Sequence, residues 1–256
     1  MTNTNDETPN PYTRPWFIIA AIIVAIVVVL GVVLGISGIV NSQNQSDDSS
    51  QETAPTATGT PSSAGTPPAE SSAQSGGSIC GLPGQVLEGS LNSAPEAEWS
   101  YAGTVGFPTS DTYGPAATTP DGVRNCFQQS PEGAVFAAAN AAAQGSNQET
   151  VGSFLEYFLA EGPGRDEVLA AGPTGGVDSS GIRVDIAGFR VLSYEGESAR
   201  VDIALRGSTQ GQTVNLSMVY DLVWEDGDWK LQVVDPAVPI DVATIPDLAG
   251  YIAWGA

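Results

Sequence analysis

The sequence predicts an α+β domain held outside a membrane by a single N-terminal helix, and three observations carry that reading. Residues Trp16 to Val40 run for 25 positions without a charge. From Ser130 to Leu159 the apolar residues recur at helical spacing, and from Ile182 to Val233 they alternate with a period of two, the spacings of a helix face and a strand face. Helices grouped first and strands grouped after them give α+β order, not the alternation of an α/β fold.

The apolar run comes first. At ~1.5 Å per residue it spans about 37 Å as a helix, more than the ~30 Å hydrocarbon core of a bilayer, and it lacks the polar face of a buried core helix. Arg14 precedes it, with Tyr12 and Trp16 as interfacial anchors, and no Lys or Arg follows until Arg124. Basic residues stay inside, so residues 1–15 form a cytoplasmic tail and the remainder lies outside. A cleaved signal peptide is the alternative, but the run is far longer than the 7–15 residues of a signal core; an uncleaved single-pass anchor in the cell membrane is expected. Gly31 and Gly35 form a G-x-x-x-G within it, which lets two helices approach closely and offers a route to a homo-oligomer.

Residues 41–78 consist mainly of Ser, Thr, Pro, Ala, Gln and Gly, with no aromatic residue and no Val, Leu or Ile. Such a segment cannot bury enough apolar surface to offset ordering entropy. It reads as a disordered tether reaching roughly 35 Å as a coil. The extracytoplasmic domain then occupies residues 79–256.

Composition excludes several classes. Eight basic residues face 29 acidic ones, a net charge of −21, so binding to a nucleic-acid backbone is not expected. With no histidine, Cys80 and Cys126 do not make a zinc site, and no cofactor motif is present. In an exported domain an even cysteine count suggests a disulfide, worth roughly 4 kcal/mol for a loop of this length. Two unrelated buried thiols are the alternative.

Within the domain, five prolines from Pro83 to Pro120 interrupt the first third. Trp99, Tyr101 and Phe107 supply anchors there, and loop-like extended chain is expected. Ser130-Pro131-Glu132 offers an N-cap, a proline at the first helical position and an acid in the first turn, opening a helix that stops at Gly145. Val151, Phe154, Leu155, Phe158 and Leu159 give a second helix one apolar face, with Gly162 as its end. A third runs from about Arg165 to Ala171.

Strands follow. Ile182, Val184 and Ile186 alternate, then the phase slips at Ala187-Gly188, as a β-bulge requires, and Phe189 and Val191 continue it. Val201, Ile203 and Leu205 mark the second strand. Val214 through Trp224 mark the third, and Trp229, Leu231 and Val233 the fourth, across an Asp226-Gly227 hairpin turn. Facing fixes the register: Trp224 opposite Trp229, Leu222 opposite Leu231, Val191 opposite Val201, Ile186 opposite Leu205. Arg190 then meets Asp202 and Asp185 meets Arg206 on a solvated polar side, opposite charges that support the alignment. Asp221 and Lys230 fall on that side too, where substitution is expected to cost little. The two tryptophans are expected beneath the second helix near Phe154 and Phe158.

This order, helices and then a four-stranded meander ending in VWEDGDWKLQVV, resembles the cone of nuclear-transport-factor-2-like domains. The wider layout resembles a family of uncharacterised actinobacterial bitopic membrane proteins: anchor, low-complexity tether, CGLPG, Trp99, GFPTSDTYGP and RNCFQQSPEGAVFAAANAAAQG. That layout is in turn similar to the inner-membrane scaffold subunit of type IV secretion and conjugation systems. The resemblance implies a non-enzymatic interaction subunit whose partners are other proteins of a membrane complex.

A ligand-binding or transport-associated accessory role is the alternative, and an enzyme using a cone pocket is the less favoured one. Without histidine, only carboxylates and tyrosines remain for acid–base work: Tyr157, Tyr194 and Tyr220 among the tyrosines, and Asp185, Asp202 and Asp221 on the strand side away from the core. No catalytic residue is assigned. The tether reading predicts that limited proteolysis trims the chain to a stable core starting near Ile79; protection of residues 54–77 would overturn it.

Overall fold

A computed structural model describes residues 77–172, 183–209 and 212–256. The predicted tail, the span with Gly31 and Gly35, and the tether through residue 76 lie outside the described residues. Among the described residues no helix is long and apolar enough to cross a membrane. In chain order the elements are β1 (Glu98–Ala102), β2 (Val105–Thr109), β3 (Ala117–Thr118), β4 (Arg124–Asn125), α1 (Pro131–Gly145), α2 (Val151–Phe158), α3 (Pro163–Ala171), β5 (Arg183–Tyr194), β6 (Ser198–Thr209), β7 (Gln212–Glu225), β8 (Asp228–Leu231), β9 (Asp241–Ile245) and β10 (Ile252–Ala253). The class is α+β: three helices pack on a curled, half-barrel sheet of order β1-β2-β5-β6-β7-β8, with β9 added to β7 and β10 to β5.

The meander has the alignment that facing dictates. Trp224 pairs with Trp229 and Leu222 with Leu231, and the two indoles meet edge to face at 5.2 Å. Val191 pairs with Val201, Arg190 with Asp202, Ile186 with Leu205 and Asp185 with Arg206, across a bulge between Ile186 and Gly188. A second bulge between Val191 and Ser193 leaves no mark in the alternation. Trp229 shares one core with Phe154 and Phe158, while its indole N–H donates to the Gln128 carbonyl at 3.0 Å, just ahead of α1.

Helix α1 starts where its cap predicts, with Ser130 Oγ accepting from the Gly133 N–H. Its alanines let it lie close against β2, β5 and β6, so it is buried almost all round. Helix α2 stops short of Gly162. Leu159 leaves the helix to bridge Leu231, and the Ala160 N–H donates to the Leu231 carbonyl at 2.9 Å. Sheet pairing there outcompetes one more helical turn.

The first third is more ordered than its prolines suggest. β1 and β2 form a hairpin that extends the sheet through a parallel pairing of Val105 with Val184. Pro108 is accommodated opposite Trp99. The C-terminal chain adds β9 along one side of β7 and then β10 against β5 at the bulge. It ends with Trp254 among Trp99, Phe136 and Phe189, all edge to face at 5.1–5.4 Å.

Two glycines separate helix propensity from packing. A Cβ at Gly133 would overlap the Gln128 carbonyl oxygen, whereas one at Gly152 meets nothing within 4 Å. Gly133→Ala is expected to cost about 1–3 kcal/mol through overpacking, and Gly152→Ala to stabilise by up to about 1 kcal/mol. Urea unfolding of both variants checks this; equal effects would contradict the placement of α1 against the Gln128 turn.

Candidate functional site

A buried constellation of ionisable groups forms where β8 leaves its turn. Asp226 and Gly227 both have positive φ, 54° and 77°, as a two-residue hairpin turn requires. The next residue, Asp228, projects away from Trp229 and toward the chain just before α1. There Cys126 also adopts a left-handed backbone, φ 69°, and successive N–H groups turn to the carboxylate: Cys126 at 2.8 Å and Phe127 at 2.9 Å. Its own neighbour Trp229 donates from 3.0 Å. Helix α2 supplies a fourth donor, the Tyr157 hydroxyl at 2.7 Å. Lys230, two residues along the same side, donates through Nζ to the Tyr157 carbonyl at 2.6 Å and lies 3.2 Å from the centre of the Tyr157 ring.

Asp228 is fully buried and Lys230 nearly so. Burial pushes the Asp228 carboxyl above its usual value, against the pull of hydrogen bonds from Tyr157, Phe127, Cys126 and Trp229. Burial lowers Lys230, against the attraction of Asp228. Burial and then the Asp228 charge raise Tyr157. The expectation that Lys230 faces solvent is therefore corrected. All four residues of β8 are buried, because the Cys126 segment and α2 cover the side that alternation assigns to water.

A second cluster corrects the solvated polar side. Asp202 is fully buried; its carboxylate pairs with the Arg190 guanidinium and accepts from Ser217 Oγ at 2.7 Å and the Tyr251 hydroxyl at 2.8 Å. The C-terminal chain between β9 and β10 brings Tyr251 over it. Elsewhere on this side the charges stay partly exposed, with Arg200 linking Asp221 and Asp241 and Arg183 holding Asp185.

The other candidates divide as follows. Tyr220 is a buried core residue, pushed up by burial alone. The Tyr194 hydroxyl donates to the Val86 carbonyl. Cys80 and Cys126 are disulfide-bonded, Cα atoms 5.8 Å apart. Arg124 sits over the Phe107 ring with Nε on Asn140, and burial lowers it to about 10. A surface cleft of about 350 Å³ is lined by Glu96, Glu98, Asp111, Thr109 and Ser110. Among the described residues no group of three His, Cys, Asp or Glu converges on a metal position. Of the Asp228 cluster, sequence reasoning singled out Tyr157 but missed Asp228; its only signal was a carboxylate directly after a turn.

Fold and clusters together define an α+β domain whose buried carboxylates each bridge several elements. The chain belongs to the family described as a domain of unknown function (DUF8175), matched over residues 45–253. That match takes in the disulfide, the hairpin, the helices, the meander and the C-terminal strands. No curated protein and no solved structure matches the chain.

The elevated Asp228 carboxyl has a consequence with a definite sign. A group whose folded value is raised contributes stability that is complete below its unfolded value and lost as pH rises through the folded one. Urea unfolding from about pH 4 to about pH 8 is expected to show this loss in the wild type and not in Asp228→Asn. Parallel profiles would contradict it.

Proposed function

We propose that the protein is a non-enzymatic, membrane-anchored extracytoplasmic scaffold or interaction subunit of a conjugation or type IV secretion-like machine. The observation that carries this reading is the saturation of its buried acids. Asp228 accepts from four donors and Asp202 from Arg190, Ser217 and Tyr251. Carboxylates committed in this way join elements and are not themselves aimed at a substrate proton.

Three helices ahead of a four-stranded meander with an early bulge support the nuclear-transport-factor-2-like cone as the finer description. Where such a cone would hold a ligand, α1 places its alanines and Phe136, with Phe189 and Trp254 packed against that ring, and a filled interior favours a scaffold. The acidic cleft at Glu96, Glu98 and Asp111 is the one observation favouring the accessory, ligand-binding reading.

Crosslinking of the full chain in its own membranes tests the proposal. The expected result is reproducible adducts through the extracytoplasmic domain with other proteins of one membrane complex. Adducts confined to the lipid-embedded region, together with saturable binding of a small molecule by the purified protein, would overturn it.

A further inference from the structure

The end of the sheet that carries both hairpin turns, Glu195–Glu197 between β5 and β6 and Asp226-Gly227 between β7 and β8, is covered by the first described stretch of chain. The Ile79 N–H donates to the Gly227 carbonyl at 2.8 Å, a Cβ at Gly196 would lie 3.2 Å from that of Leu87, and the Tyr194 hydroxyl donates to the Val86 carbonyl. The Trp224 N–H donates to the Glu197 carbonyl at 2.8 Å, so the two turns are neighbours. On this end Ile79, Val86 and Leu87 are 61%, 43% and 48% exposed, and Leu192, at the second bulge of β5 just before the Glu195 turn, is 48% exposed. Four exposed aliphatic residues on the segments that meet at this end differ from single apolar residues scattered over a surface, and a concentration of this kind is what an interaction site shows.

Charge selects the occupant. Glu88, Glu195, Glu197 and Asp226 are exposed around the patch, and among the described residues no basic side chain forms an ion pair with them. Arg165, Arg183, Arg190 and Arg200 pair with other carboxylates, Lys230 is buried, and Arg124 and Arg206 bond asparagines. An anionic lipid surface would be repelled, and a second copy would bring the same charge to the same patch.

We propose that this end of the sheet docks a basic amphipathic polypeptide segment, with aliphatic side chains on Ile79, Val86, Leu87 and Leu192 and flanking Lys or Arg against the four carboxylates. The inference rests on reading the domain as an interaction subunit and names one surface of it. Adducts elsewhere on the domain would leave that reading standing while this one fails.

The probe is a synthetic helical peptide of Leu and Lys, compared with a Ser and Lys peptide of equal charge. Both are titrated into the full chain in detergent by isothermal calorimetry. The expected result is binding of the Leu peptide that weakens with salt, at least about tenfold tighter than the Ser peptide, and weakened by about tenfold or more in Leu87→Ser/Leu192→Ser. Val234→Ser/Val238→Ser, which removes exposed apolar residues beyond the opposite end of β8, is expected to bind as wild type does. Amide shifts on the wild-type protein should cluster at residues 79–88, 192 and 195–197, a readout that does not depend on how a variant folds. Equal affinity for the two peptides, equal losses in both variants, or shifts elsewhere would overturn the proposal. So would phosphatidylglycerol vesicles or self-association occupying the patch instead.

Discussion

The Asp228 carboxylate has no exposed surface and draws donors from three parts of the chain: the segment before α1, helix α2 and its own strand. The Cys126 contact alone joins residues 102 positions apart. Removing such an acceptor would leave buried N–H and O–H groups unpaired, at about 1–3 kcal/mol each, against a total margin of about 5–15 kcal/mol for a domain. Burying the charge is tolerable only because every donor is in place. That requirement explains the left-handed backbone at Cys126, which turns two successive N–H groups to one carboxylate. It also explains why β8, at the edge of the meander, is buried on both sides.

The opposite flank solves a different problem. The pair of buried Asp202 with half-exposed Arg190 contributes little net stability over apolar side chains of similar size, but it discriminates between alignments. A one-residue slip of β6 against β5 would carry Asp202 toward the core occupied by Val201 and Ile203. With Asp202 in place, Ser217 and Tyr251 complete its acceptors, and Tyr251 fixes where the C-terminal chain crosses. Two residues later that chain pairs at Gly188, where a Cβ would lie 2.8 Å from the Ile252 carbonyl oxygen. It then turns Trp254 inward. The bulge, the ion pair and the last tryptophan are thus one arrangement seen at three positions.

Alternation and turn chemistry made the meander legible down to its pairings, because each pairing lies within one hairpin of consecutive strands. The polar clusters were illegible for the converse reason. Alternation at Asp228-Trp229-Lys230-Leu231 says which side chains oppose one another, not what covers the second side, and Cys126 and Tyr157 arrive there from distant sequence, as Tyr251 does over Asp202. The β1–β2 hairpin was hidden by Pro108 and by strands of five residues, too short for a period to register. Leu159 read as the end of a helical face, and only its pairing with Leu231 shows why the helix stops before it.

The first described segment owes its order to the Asp228 cluster. Cys80 is bonded to Cys126, whose N–H is held by Asp228. Beyond it Gln128 Nε2 donates to the Pro83 carbonyl at 2.6 Å and the Val86 N–H to the Gln129 carbonyl at 2.8 Å. With Ile79 on Gly227 and Tyr194 on Val86, residues 79–86 are fastened along their whole length despite exposing their aliphatic side chains. Apolar residues on loose chain would lose much of their contact energy to ordering, whereas these are already fixed in position. The chain enters its domain along a rigid path, set by a carboxylate about 150 residues away and welded by a covalent bond.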